Sequence, residues 1–162
     1  MNTYTAYYNS PVGQLKITCS DEHVQAVLFM NEEVTNPSDR HPLLRRCIDQ
    51  LGEYFSGDRE AFELPLQQSG TDFQQKVWKL LSQIPFGKTL TYNDLSKQYG
   101  DVKAIRAVAS ANGKNNLAIV VPCHRVIGSN QSLTGYAGGL WRKKWLLEHE
   151  AKHYSGVMTL PF

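Results

Sequence analysis

Apolar and polar positions alternate through residues 3–8, 14–19 and 24–29, and these segments are rich in β-branched and aromatic side chains. Asn9 to Gly13 and Ser20 to Glu22 separate them, so the first third of the chain predicts a meander of three strands. From His41 to Phe55 the period changes. Leu43, Leu44, Cys47, Ile48, Leu51, Tyr54 and Phe55 keep helical spacing, and Ser56-Gly57 ends the run. Residues 64–70, Leu-Pro-Leu-Gln-Gln-Ser-Gly, read as a linker.

Past the linker the pattern is helical. Thr71 or Asp72 can cap a helix that carries Phe73, Val77, Trp78, Leu80, Leu81 and Ile84 toward a core, and Pro85-Phe86-Gly87 closes it. Thr91 can cap a short helix through Tyr99, Gly100-Asp101 makes a turn, and a second helix spans about residues 102–112. Two short helices around a glycine turn suggest a helix-turn-helix. Ala104, Ala107, Ala109, Ser110 and Ala111 leave the second helix slim around Arg106. Tight helix packing and close approach to a narrow groove explain that slimness equally well. A last helix is expected over residues 140–152, with His149 on its surface.

Charge divides the chain at the same linker. Residues 1–70 hold five Lys and Arg against ten Asp and Glu, a net −5; residues 71–162 hold twelve against five, a net +7. A basic second half facing a polyanion is one reading, and two solvated surfaces of opposite sign is the other. No apolar stretch approaches the ~20 residues of a membrane-spanning helix, so no membrane partner is expected. Three cysteines without metal-like spacing suit reduced thiols in an intracellular compartment, the cytoplasm in a bacterium or the nucleus in a eukaryote. Cys19, His23, His41 and Cys47 offer ligand types in the wrong spacing, so no metal is expected.

The chemistry concentrates in Ile119-Val120-Val121-Pro122-Cys123-His124-Arg125-Val126. The β-branched run reads as a strand that Pro122 stops, with a cysteine at its end. A thiol becomes a nucleophile by losing its proton, which neighbouring imidazole and guanidinium groups favour. From the residues alone, a half-buried structural cysteine and a nucleophile both stay open. Adjacent residues of an extended chain point to opposite faces, so contact of Cys123 with His124 needs a bend or a bridging water. Glu148 and Glu150 are candidates for a carboxylate that orients the base.

The blocks FGKTLTYNDLS, AIRAVASANGKNN, IVVPCHRVIG, TGYAGG and WLLEHE, in that order, resemble the O6-alkylguanine-DNA alkyltransferases. The resemblance is close over residues 71–152 and looser over 1–70. It implies an α/β fold: an N-terminal α/β domain over 1–70 with an antiparallel, ribonuclease H-like sheet, and a C-terminal winged helix-turn-helix-like, mainly α domain over 71–162. Cys123 matches the alkyl-accepting nucleophile, His124 the base that activates it through water, Glu150 the carboxylate orienting that histidine, and Asn115 the asparagine completing the network. Tyr92 and Asn93 open the first helix of the pair, where the tyrosine crowds the target phosphate and donates to the flipped guanine. Arg106 matches the arginine that fills the gap in the duplex. Val126, Ser129, Tyr136, Ala137 and Gly138 match positions around the base, and Ala137 stands where some relatives carry serine. The implied partner is double-stranded DNA bearing alkylated bases, approached through the minor groove by a monomer without a cofactor. The implied substrate is O6-alkylguanine, with O4-alkylthymine as a second candidate. A non-catalytic lesion-binding or regulatory module is the alternative. A cysteine hydrolase is weaker, because no oxyanion site is legible.

Overall fold

A computed structural model describes residues 2–130, 133 and 135–154. Strands β1 (Tyr4–Ser10), β2 (Gly13–Cys19) and β3 (Val24–Phe29) form an antiparallel sheet in the order β1-β2-β3. The register pairs Ala6 with Ile17 and Leu15 with Phe29. Alternation along β2 places Leu15, Ile17 and Cys19 inside with Ala6, and a register shift at Thr18/Cys19 brings both Val24 and Val27 of β3 to the same side. Helix α1 (Pro42–Phe55) buries Leu43, Leu44, Cys47, Leu51 and Tyr54. His41 caps this helix: its Nδ1 accepts from the Leu43 N–H at 3.1 Å.

The open edge of β3 is covered rather than left to solvent, as sheet edges require. Val24 accepts from the Gln67 N–H and donates to the Pro65 carbonyl, so the segment read as a linker is pinned at Leu66. Val27 donates to the Asn116 carbonyl at 2.8 Å and accepts from the Ala118 N–H at 3.0 Å. This pairing decides the organisation of the chain. It folds as two compact units: the part up to Ser69 joined by Asn116–Val120, and Gly70–Asn115 joined by the part from Val121 onward.

The strand expected at 119–121 is absent. Leu117 makes a single bridge; then the Val120 N–H donates to the Ala118 carbonyl at 2.8 Å across Ile119, whose φ is 70°. That is a γ-turn with a β-branched residue at positive φ, a rarely populated conformation. An apolar β-branched run predicts burial, which holds for all of Leu117 to Val121, but it does not distinguish strand from turn.

The second unit contains α2 (Asp72–Leu81), the two-residue strand β4 (Leu90–Thr91), α3 (Tyr92–Tyr99), α4 (Ile105–Gly113), β5 (Val126–Ile127) and α5 (Leu140–His153). Thr71, not Asp72, caps α2 in a reciprocal capping box with Gln74. Thr91 caps α3 through the Asp94 N–H, Gly100 ends it at φ 108°, and a 3-10 turn (Val102–Ala104) leads into α4. This is a helix-turn-helix, and β4 pairs parallel with β5 beside it. On α4, Val108, Ala111 and Asn112 are buried while Arg106, Ala107 and Ser110 are exposed. The slim helix therefore packs on one face and leaves the other open.

Trp78 fastens α2 to α4 by donating from Nε1 to the Ala111 carbonyl at 2.8 Å. A Cβ on Gly70 would lie 2.4 Å from the Trp78 ring. Gly70→Ala is expected to destabilise the second unit by about 1–3 kcal/mol through overpacking. Urea unfolding measures this, and an unchanged midpoint would contradict the packing described.

Candidate active site

Pro122 bends the chain at the cysteine. The Cys123 N–H donates to the Val121 carbonyl at 2.8 Å, and Cys123–Arg125 form one turn of 3-10 helix. At about three residues per turn, consecutive side chains diverge. His124 and Arg125 therefore turn away from the sulfur and meet at one carboxylate. His124 Nε2 lies 2.6 Å from Glu150 Oε2, Arg125 Nε donates to Oε1 at 2.8 Å, and Arg125 Nη2 donates to Oε2 at 3.1 Å. The Gly87 N–H adds a longer contact to Oε1 at 3.3 Å, and Arg125 Nη1 donates to the Ile84 carbonyl at 2.7 Å. Glu148, the other acid considered, is exposed and 3.8 Å from Lys144 on its own helix.

Burial alone would raise the Glu150 carboxyl, but His124 and the two-pronged Arg125 outweigh it and hold the group well below the usual carboxylate range. Burial also lowers the His124 imidazole, with Arg125 and Lys143 acting the same way and Glu150 opposing. The imidazole is thus neutral at neutral pH. A carboxylate only accepts, so Nε2 is assigned the proton and Nδ1 keeps its lone pair. Nδ1 is buried without a protein hydrogen-bond partner. A lone pair so placed is a base awaiting a proton, with a bridging water as the natural carrier.

Cys123 is only 7 % exposed. Burial pushes its thiol up from the ordinary value, while the Asn115 amide and the Lys143 ammonium pull it back. Asn115 Nδ2 donates to the Val121 carbonyl at 2.8 Å and lies 3.3 Å from Cys123 Sγ. It closes the chain on either side of the 116–120 excursion and steadies the sulfur. Lys143 was not legible in the sequence. It is fully buried, its Nζ lies 5.8 Å from the Tyr92 ring centre, and burial, partly offset by Cys123, lowers its ammonium to about 8.

Tyr92, Arg106, Ser129, Tyr136 and Ala137 line one cavity of about 730 Å³, with Ile105, Ala109 and Gly113 along one ridge of α4. Its described lining includes neither Asn93, Val126 and Gly138 nor the four residues assigned to the chemistry. Asn93 follows Tyr92 on α3, Val126 is buried opposite Leu90, and Gly138 is buried before α5. Gln131, Ser132 and Thr134 of the glycine-rich loop lie outside the described residues. His149, expected at the surface, is buried and stacked on Trp145 at 4.9 Å. Cys19 and Asp21 approach His41 at 3.9 and 4.0 Å, but at different ring nitrogens, so they do not converge. Among the described residues no three His, Cys, Asp or Glu side chains form a metal-binding group.

A chain of two compact units with a helix-turn-helix and a cysteine, a histidine, an arginine and a buried glutamate gathered around one short turn defines a class of cysteine-bearing helix-turn-helix proteins. Comparison with known proteins narrows the class. Residues 72–152 match the family described as 6-O-methylguanine DNA methyltransferase, DNA binding domain, and residues 3–68 match its ribonuclease-like domain. The chain is 43% identical over 163 residues to the constitutive methylated-DNA--protein-cysteine methyltransferase of Bacillus subtilis, covering 95% of this chain and 98% of that one. It is 41% identical over 152 residues to the enzyme of the same name from Methanosarcina acetivorans, covering 91% and 97%. The crystal structure of the Mycobacterium tuberculosis O6-methylguanine methyltransferase superposes with a TM-score of 0.85 at 38% identity, covering 96% and 97%. A structure of the M. tuberculosis protein in complex with DNA gives 0.83 at 40% identity, covering 91% and 92%. The chain belongs to the 6-O-methylguanine DNA methyltransferase family.

The buried carboxylate generates a stability prediction. Glu150 has a folded pKa below its ordinary 4.5, so its contribution is fully present above pH 4.5 and is lost as pH falls below that value. Glu150→Gln leaves Arg125 buried without its counter-charge, and a loss of about 3 kcal/mol at neutral pH is expected. The gap between the two proteins should narrow below pH 4.5. Denaturant unfolding at both pH values checks this; a constant gap would contradict the pairing.

Proposed function

We propose that this protein repairs DNA by moving an alkyl group from the O6 of guanine onto Cys123, once per molecule. The observation that carries the reading is the Cys123 thiol 3.3 Å from the Asn115 amide, in one short turn with His124, whose buried Nδ1 has no protein hydrogen-bond partner. The target atom is inaccessible in a stacked duplex, so the nucleotide is extruded before reaction. The exposed face of α4 with Arg106 suits the minor groove, where arginine occupies the space the base leaves. Tyr92 and Tyr136 bound the cavity that receives the base.

The thiol proton passes through water to His124 Nδ1, while Glu150, kept ionised by Arg125, accepts a hydrogen bond from the Nε2–H and stabilises the imidazolium that forms. The sulfur lone pair attacks the alkyl carbon; the S–C bond forms as the C–O bond breaks. The electrons leave on guanine, whose N3 takes a proton from Tyr92; the Tyr92 phenolate then regains a proton from water, and the imidazolium of His124 gives up the one it took from the thiol. The product thioether has no easy leaving group, so the protein ends alkylated and no cofactor takes part.

Intact-mass measurement after incubation with a duplex carrying O6-methylguanine tests the reading. A gain of one methyl on wild-type protein, absent in Cys123→Ser, is expected; no gain on folded wild-type protein would overturn it. Lys143 gives a second test. Removing a cation disfavours the thiolate, so in Lys143→Met the pH of half-maximal transfer should move upward by about one unit. An unchanged pH–rate profile would remove Lys143 from the account.

A further inference from the structure

The cavity wall contributed by the glycine-rich loop is fastened by a residue with no role in the chemistry above. Gly139 carries a φ of 91° and begins α5 without a side-chain cap. Its N–H donates to the Tyr136 carbonyl at 2.9 Å, closing a four-residue turn whose first two members, Tyr136 and Ala137, line the cavity. Its carbonyl accepts from the Arg142 and Lys143 N–H groups at 3.2 and 3.3 Å. Glycines give such a turn little stiffness of their own.

Arg142, in the first turn of α5, supplies it. The residue is 6 % exposed. Its Nη1 donates to the Gly138 carbonyl at 3.0 Å, and its guanidinium lies 4.8 Å from the centre of the exposed Trp141 ring. The contact is charge-assisted and sheltered, which makes it stronger than a neutral hydrogen bond at the surface. It ties the turn to the helix that also carries Lys143 and Glu150. We propose that Arg142 is a positioning residue for base capture: its guanidinium holds the Tyr136–Gly139 turn on α5, in the conformation that presents Tyr136 and Ala137 to the extruded base. This rests on the alkyl-transfer reading and adds a separate part to it, since Arg142 acts on the loop and not on the thiol.

The test is single-turnover transfer from a duplex containing one O6-methylguanine, with the full chain, over a range of protein concentration and pH. Arg142→Met should raise the half-saturating concentration about tenfold, the scale of losing one charged hydrogen bond. The limiting rate and its pH profile should stay within about twofold. Arg142→Lys keeps a cationic donor for the Gly138 carbonyl and should stay within about threefold of wild type in half-saturation. Equal half-saturation in wild type and Arg142→Met, or a loss confined to the limiting rate, would overturn the proposal. Should Arg142→Met fail to fold, Arg142→Lys decides alone: a tenfold rise there would overturn the carbonyl clamp. Absence of transfer in wild type would instead overturn the alkyl-transfer reading.

Discussion

Glu150 is the one acidic side chain among the described residues that the fold buries, and the site is arranged around keeping it ionised. A carboxylate removed from water loses several kcal/mol of solvation unless its oxygens are satisfied. Here Arg125 supplies two donors and a full counter-charge, His124 a third donor, and Gly87 a longer backbone contact. Because Arg125 neutralises the acid, His124 need not become a cation to accompany it. The imidazole can remain a base. A protein that left Glu150 to His124 alone would favour imidazolium, which has no lone pair to offer.

The same arrangement divides labour within one short turn. Three consecutive residues on a 3-10 turn serve two partners: Cys123 faces Asn115, while His124 and Arg125 meet at the acid. The cation nearest in effect to the sulfur is then Lys143, from the first half of α5, while the acid sits one residue from that helix's last turn. One helix thus sets the thiol, the base and the edge of the cavity. Its packing is a condition for chemistry as well as for stability.

Much of this was legible in the chain. β-branched and aromatic runs between turn residues marked the three strands, and Thr71, Thr91 and Gly100 marked helix ends, because capping chemistry is local. Cys123, Asn115 and Glu150 stood in motifs, and the structure brings them together with His124. What stayed hidden were facts of tertiary placement. Residues 117–121 are apolar because they are buried in turns that leave one unit and return, and a strand would have the same composition. No local pattern announces that Lys143 and Arg142 are buried while Lys144 beside them is exposed. His149 was misplaced for the same reason. From the sequence Arg125 reads as a cation favouring the thiolate, whereas it pairs with Glu150, 25 positions away, which no local pattern announces.

The claim on which the mechanism turns is the protonation state of His124, and nitrogen NMR of the labelled imidazole reads it directly. At about pH 7, above the ordinary imidazole pKa of ~6.5, His124 should be neutral, with the proton on Nε2 and Nδ1 bare. An imidazolium signal at neutral pH, or a proton resident on Nδ1, would contradict the account.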